Sequence, residues 1–293
     1  MTPAISVIVP TRLRPHLVGR AVESILKQTF TDFEIVVVDN NPTNLQIARS
    51  PKEVPWLADS RVRLVQDETP HNAASVRNLG LAVARGQWVT YLDDDDAYHP
   101  EKLGRQLCAG DSSGLPLGVC GMVRHLPGRR RLVNWEADEI RGDDLLLYFP
   151  GMPTIFHRQA ADVRFDESLN AGEDQHYFQR LLRYYRASKI FNVPQALVKV
   201  YQQATSHVNL NGRGIWESGE AILREFGTGY SETARRLFRE RARMHFCKLD
   251  HGHLRELMAL CVLLVLRHGM RDTRLILNCL LYKFPWMRPW LVN

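Results

Sequence analysis

Trp88-Val89-Thr90-Tyr91-Leu92-Asp93-Asp94-Asp95-Asp96 is an apolar run that stops on four carboxylates. Like charges this close repel one another and resist burial, so a strand that delivers them to its own end implies a cation waiting there. Mg²⁺ or Mn²⁺ carrying a phosphate is the natural candidate, since both ions share their coordination between carboxylates, water and substrate phosphates. An acidic run alone more often marks a solvated loop or a helix cap. Its place after a buried-type strand and before a helix opening at Pro100 reverses that reading.

Upstream, residues 4 to 39 read as strand, helix, strand. Ile5-Ser6-Val7-Ile8-Val9 comes first, then Pro15 opens a helix with Val18, Val22 and Ile25 on one face, then comes Glu34-Ile35-Val36-Val37-Val38. After an irregular stretch holding Pro42, Pro51 and Pro55, a strand Val62-Arg63-Leu64-Val65 precedes a second helix. Its apolar face is Ala73, Val76, Gly80 and Val83, and Gly86 ends it. This alternation predicts an α/β fold with a mostly parallel sheet, right-handed crossovers and ligands beyond the carboxyl ends of the strands. Asp39 and Asp93 to Asp96 fall at such ends. Arg77 lies off the apolar face of its helix, free to reach a ligand there.

Downstream, Pro100 to Leu107 reads as a helix, Leu117 to Val123 as a strand, Thr154-Ile155-Phe156 as a short strand, and Glu173 to about Arg186 as a helix. Leu126-Pro127-Gly128-Arg129-Arg130-Arg131 reads as a basic hairpin tip. Its arginines either meet a phosphorylated partner or are simply solvated.

Past His207 the alternation ceases, and helix-like segments follow around 213–226, 231–249, 253–268 and 271–283. A boundary near residue 210 divides the chain into domains 1–210 and 211–293. The net charge of +6 lies entirely beyond residue 211. That segment is also rich in Leu, Val, Trp and Met, a mixture suited to an anionic membrane surface rather than a duplex groove, so no nucleic-acid partner is expected. Leu257 to Leu266 is apolar all round, yet ten helical residues span roughly 15 Å, about half of a hydrocarbon core. With Trp286, Arg288 and Trp290 behind it, the tail reads in one of two ways. It is an interfacial membrane attachment, or a set of helices covered by the first domain or by a second subunit of a homo-oligomer.

Five cysteines, Cys108, Cys120, Cys247, Cys261 and Cys279, are widely spaced and never form a C-x-x-C pair. This argues against a disulfide framework and a zinc site and fits a reducing, cytoplasmic compartment. Met1-Thr2-Pro3-Ala4 lacks a basic region, and Ile5 to Val9 is too short for the apolar core of a signal peptide, so export is not expected.

Five motifs occur in order: Ser6-Val7-Ile8-Val9-Pro10-Thr11, Ile35-Val36-Val37-Val38-Asp39, Ala74-Ser75-Val76-Arg77-Asn78-Leu79-Gly80, Tyr91-Leu92-Asp93-Asp94-Asp95-Asp96 and Gly172-Glu173-Asp174. From Ile5 to about His207 the chain resembles the inverting family 2 glycosyltransferases. The resemblance implies a GT-A fold, a Rossmann-like mostly parallel sheet flanked by helices, here with a C-terminal helical extension. It implies metal-dependent transfer of a sugar from a nucleotide-diphosphate sugar, a UDP-sugar favoured, to a hydroxyl of a saccharide or lipid-linked acceptor, with inversion. It further implies a place in bacterial cell-surface polysaccharide or glycolipid synthesis, with the protein cytoplasmic and peripheral on the inner face of the cell membrane.

By the same resemblance, Thr11 lies close to the nucleotide, Asp39 accepts hydrogen bonds from its base, and Arg77, Asp93 and Asp94 bind the donor. Asp95 is the direct ligand of Mn²⁺ or Mg²⁺, with Asp93 and His207 beside it; Asp96, and Asp94 with it, shape the turn. Asp174 is the catalytic base, and Glu173 contacts the acceptor or orients the loop. The sequence departs from the family pattern where Asn40, Asn41 and Pro42 replace an acid and a glycine, and again at Tyr201-Gln202-Gln203. Two rival readings remain. A nucleotidyltransferase needs a glycine-rich phosphate loop, which Pro10-Thr11-Arg12-Leu13-Arg14 lacks. A non-catalytic, glycosyltransferase-like membrane assembly factor has no need of Asp93, Asp95 and Asp174.

Overall fold

The computed structural model describes residues 2–14, 16–69, 71–201 and 212–249, with side chains to residue 243. It divides into two compact units, Met1–Ala204 and Thr205–Asn293. The first begins β1 (Ile5–Thr11), α1 (Val18–Leu26), β2 (Phe33–Asp39), β3 (Val62–Gln66), α2 (Ala73–Val83) and β4 (Trp88–Tyr91). It continues with β5 (Ala97–Tyr98), α3 (Lys102–Ser113), β6 (Leu117–Leu126), β7 (Arg129–Val133), β8 (Glu139–Arg141), α4 (Asp144–Leu147), β9 (Phe156–Arg158), α5 (Glu173–Tyr184) and β10 (Lys189–Tyr201).

The ten strands among the described residues join one sheet in the order β3-β2-β1-β4-β9-β6-β10-β5, with β7 added to β6 and β8 to β10. Pairing is parallel through β3, β2, β1 and β4 and again between β6 and β10. The intervening β9 runs antiparallel to both β4 and β6, which makes the sheet mixed. This is the helix-flanked α/β architecture expected from the alternation.

β2 is buried at every position and β1 at all but one, which is why both read as continuous apolar runs rather than alternating ones. On one face α1 buries Val18, Ala21, Val22 and Ile25. On the other, α2 starts at Asn72, whose side chain accepts from Ser75 N, and comes so close to β1 that a Cβ on Gly80 would stand 2.5 Å from Ile8 Cγ2. Beneath α3, Trp88 stacks on Phe156 with ring centroids 4.8 Å apart.

Several boundaries differ from the sequence expectation. The predicted strand at 154–156 is a 3-10 turn, Met152–Thr154, followed by β9, because Pro153 withholds a ladder donor. α3 starts two residues past Pro100, whose carbonyl instead accepts from Thr29 N, and runs to Gly114 in the left-handed conformation at φ 66°. The arginines expected at a hairpin tip lie in β7, and Gly128, φ 72°, makes the turn. β10 was not anticipated, since Pro194 and two register shifts interrupt its alternation.

The second unit contains α6 (Gly212–Phe226) and α7 (Glu232–Leu249), matching the helix-like patterns there. They bury Ile222, Leu223, Phe226, Ala234, Phe238 and Ala242. Among the described residues, no helix is long and apolar enough to cross a membrane. The predicted segments 253–268 and 271–283, with Trp286, Arg288 and Trp290, and also His207, lie outside the described residues.

Candidate active site

Parallel pairing sets Ile8 beside Tyr91 and Thr11 beside Asp39, so the carboxyl ends of β1, β2 and β4 open on one place. At the end of β4, Leu92 N still bonds Ile8 O at 3.0 Å, and Asp96 N closes a turn onto Asp93 O at 3.0 Å. The turn sends the four carboxylates to four sets of partners. Asp93 Oδ1 accepts from Arg77 Nη2 at 3.0 Å. Asp94 accepts from Thr11 Oγ1 at 2.7 Å and pairs with Arg14 Nη2 at 2.7 Å. Asp95 Oδ2 takes Arg14 Nη1 at 2.6 Å, while its carbonyl accepts from Arg20. Asp96 accepts from Tyr201 N at 3.0 Å, which ties the turn to the end of β10.

Burial divides the run as well. Asp94 is 1% exposed, and burial pushes its carboxyl up to about 6 against the opposing charge of Arg14. Burial also raises Asp96, helped by the charge of Asp93. Asp93 and Asp95 keep more solvent, at 33% and 16% exposure. They offer hard oxygen donors only, which fits Mg²⁺ or Mn²⁺. Among the described residues no three ligating side chains converge.

Arg77 is buried and forked. Nη2 meets Asp93, and Nη1 donates to Glu173 Oε1 at 2.9 Å. Burial by itself lowers the pKa of this guanidinium, but Asp93, Glu173 and Asp174 more than offset that and hold it charged. Gly172, in the left-handed region at φ 71°, turns the chain into α5 and places Glu173 and Asp174 on its first turn. Burial pushes Asp174 up to about 7, the neighbouring charge of Glu173 adds to this, and Arg77 opposes it. A half-buried carboxyl that titrates near neutrality can take a proton from a hydroxyl at physiological pH.

Asp39 is fully buried at the end of β2. Oδ1 accepts from Asn41 N at 3.1 Å and Asn41 Nδ2 at 2.6 Å; Oδ2 accepts from Ile47 N at 2.8 Å and Gln66 Nε2 at 3.0 Å. The carboxylate thus organises residues 40 to 47. Asn40 joins in by donating to the carbonyls of Asp67 and Thr69, so both asparagines that depart from the family pattern have structural partners. Asn78 binds Phe165 and Glu167, away from the acidic turn.

Arg14 and Arg20 are site neighbours that the sequence does not mark, and Tyr201 stands out there only as a departure from the family pattern. The Arg20 guanidinium lies 4.3 Å from the Tyr201 ring centroid, and that ring stacks on His125 at 4.8 Å. Arginines within a helical turn or two of β1 were the available signal, since its parallel neighbour β4 ends on the acidic run.

Strand-end carboxylates at the parallel half of a mixed, helix-flanked sheet are those of the GT-A nucleotide-sugar fold. Residues 6–132 match Glycosyl transferase family 2. It is 31% identical over 190 residues to the succinoglycan biosynthesis protein ExoO of Rhizobium meliloti (strain 1021), covering 59% of this chain and 53% of ExoO. It is 31% identical over 103 residues to the UDP-Glc:alpha-D-GlcNAc-diphosphoundecaprenol beta-1,3-glucosyltransferase WfgD of Escherichia coli, covering 35% of this chain and 39% of WfgD. The matches therefore span about half or less of these relatives. The crystal structure of S. aureus TarS 1-349 in complex with UDP-GlcNAc has the same fold, with a TM-score of 0.63 at 19% identity over 94% of this chain and 79% of that one.

Proposed function

We propose that the chain is a metal-dependent glycosyltransferase that moves a sugar from a nucleotide-diphosphate sugar, a UDP-sugar in the first instance, to an acceptor hydroxyl with inversion. The observation that carries this reading is the Asp93–Arg77–Glu173 bridge, which fastens the donor-side carboxylates to the helix turn bearing Asp174. Asp174 accepts the proton of the attacking hydroxyl, and single displacement needs no covalent intermediate. Asp93 and Asp95 hold Mn²⁺ or Mg²⁺, which when bound offsets the charge of the departing diphosphate. His207 joins that set in this reading, as the resemblance implies.

Thr11 fixes Asp94 on the nucleotide side. Asp39 already accepts four protein donors, so we assign its share in base recognition first to holding the loop of residues 40 to 47. Direct acceptance from a uracil N–H requires displacing one of them, such as Gln66 Nε2. The glucosyltransferase WfgD and the UDP-GlcNAc bound to TarS support a UDP-sugar donor, and WfgD supports a lipid-linked acceptor, with a soluble saccharide as the alternative. With ExoO they support a role in bacterial surface polysaccharide or glycolipid synthesis. The cytoplasmic face of the cell membrane is the corresponding location. The basic stretch after residue 211 serves as its membrane or self-association surface.

Asp174→Asn tests the assignment. UDP binding in Mn²⁺ should be kept while sugar transfer falls on the order of 10² to 10⁴-fold, the usual worth of a general base. Full transfer activity in the variant overturns the assignment.

A further inference from the structure

Arg124 on β6 stands directly opposite Arg131 on β7, in a register that also pairs His125 with Arg130. Guanidiniums facing each other across a strand pair repel, and nothing in the hairpin itself compensates. Alternation along β6 puts Met122 and Arg124 on one face and Val123 and His125 on the other. The Arg124 face is covered by residues 150 and 151. Arg124 Nη2 donates to Pro150 O at 3.4 Å, and Met122 Cε lies 3.3 Å from where a Cβ on Gly151 would stand.

The covering segment follows α4, and α4 is bound to the helix that Asp174 opens. Gln175 donates to Leu146 O at 3.1 Å, and Gln179 donates to Leu145 O at 2.9 Å. Arg124 accordingly feels the charges of Asp174 and Asp96, although burial and then Arg131 have the larger effect and lower its pKa. One buried polar atom here, Arg124 Nε, has no hydrogen-bond partner among the described residues. Buried polar atoms nearly always have one. Arg131 is exposed to an incoming group.

We infer that Arg124 and Arg131 form an acceptor-side anion subsite for a phosphate or diphosphate attached to the sugar whose hydroxyl meets Asp174. This rests on the glycosyltransferase reading above. A dianion between the two guanidiniums turns their repulsion into paired, charge-assisted hydrogen bonds and supplies an acceptor for the orphaned Arg124 Nε. Arg130 lies on the opposite face of β7 and takes no part.

The test uses the full chain and isothermal titration. UDP with Mn²⁺ is titrated first and reports on the donor site alone; failure of UDP to bind overturns the glycosyltransferase reading without touching the subsite. Geranyl diphosphate and inorganic pyrophosphate are then titrated in metal-free buffer containing excess UDP. Wild type should bind, Arg131→Gln should weaken binding roughly tenfold or more, and Arg130→Gln should match wild type. Tighter binding of geranyl diphosphate than of pyrophosphate assigns the group to a lipid carrier, and equal binding to a soluble phosphate. Arg124→Gln gives the same loss if it folds; exposed Arg131 decides the question if it does not. Undiminished binding in Arg131→Gln, or none in wild type, overturns the subsite.

Discussion

Arg77 Nη1 and Glu173 Oε1 stand 2.9 Å apart, joining α2 to the first turn of α5 across 96 residues of chain. Because the same guanidinium holds Asp93, one side chain sets the spacing between the acidic turn and Asp174.

Arg77→Met should therefore be strongly destabilising. Removing one partner of a buried ion network typically costs about 3 to 5 kcal/mol, and the partial exposure of Asp93 argues for the low end. Arg77→Lys keeps the charge but loses the fork, so urea unfolding should rank wild type above Lys and Lys above Met.

The acid limb of the rate profile follows from Asp174. Its pKa is raised by burial to about 7, so with Asp174 as the proposed base kcat/KM should fall as pH drops through that value and the carboxylate is protonated. Arg77 opposes the rise, so in Arg77→Lys, where the charge persists in altered geometry, the limb should move less than in Arg77→Met, where it moves upward. An Arg77→Met limb unshifted from wild type would contradict this coupling.

Stability should fall in acid through His157. This imidazole is buried between the hydroxyls of Tyr91 and Tyr177 and the Arg158 carbonyl, and burial lowers its pKa to about 4. Between the unfolded value of about 6.5 and that folded value, the unfolded chain binds the extra proton. The contribution is full above the unfolded value and is lost as pH falls towards 4, about 3 kcal/mol in all. Unfolding free energies of His157→Gln, measured from neutrality to pH 4, should lack that part of the slope.

Lys102 is fully buried in the core, with Nζ 3.0 Å from Thr90 Oγ1 and 4.1 Å from the Tyr98 ring centroid. Burial lowers its pKa to about 8, so wild type should gain stability as pH rises from there towards the unfolded value of 10.5. Lys102→Met removes a poorly compensated charge and should stabilise the protein at neutral pH by about 1 to 3 kcal/mol, with no rise above pH 8. Thermal unfolding at the two pH extremes distinguishes the cases.

Legibility in the sequence followed local chemistry. Ile35 to Val38 announced β2 because a strand covered on both faces must be apolar throughout, and Asp93 to Asp96 stood out because nothing else explains four acids there. β10 hid because Pro194 and the shifts beside Ala196 broke its period, although it brings Tyr201 to Asp96. Arg124 and Arg131 carry no local pattern at all; only the register of β6 on β7 makes them a pair. Asp39 was read as a ligand-facing acid, and the structure surrounds it with donors from three separate stretches of chain.

The contacts that fix the acidic turn also set when it can exist. Thr11 meets Asp94 across 83 residues, Arg14 meets Asp95 across 81, and Arg20 meets the Asp95 carbonyl across 75. Such closures are entropically expensive and require β1 docked on β4. A chain still emerging from the ribosome, or one frayed at its first strand, carries all four aspartates yet leaves them unconstrained. Under the function proposed above, competence to bind donor would thus depend on completion of the sheet.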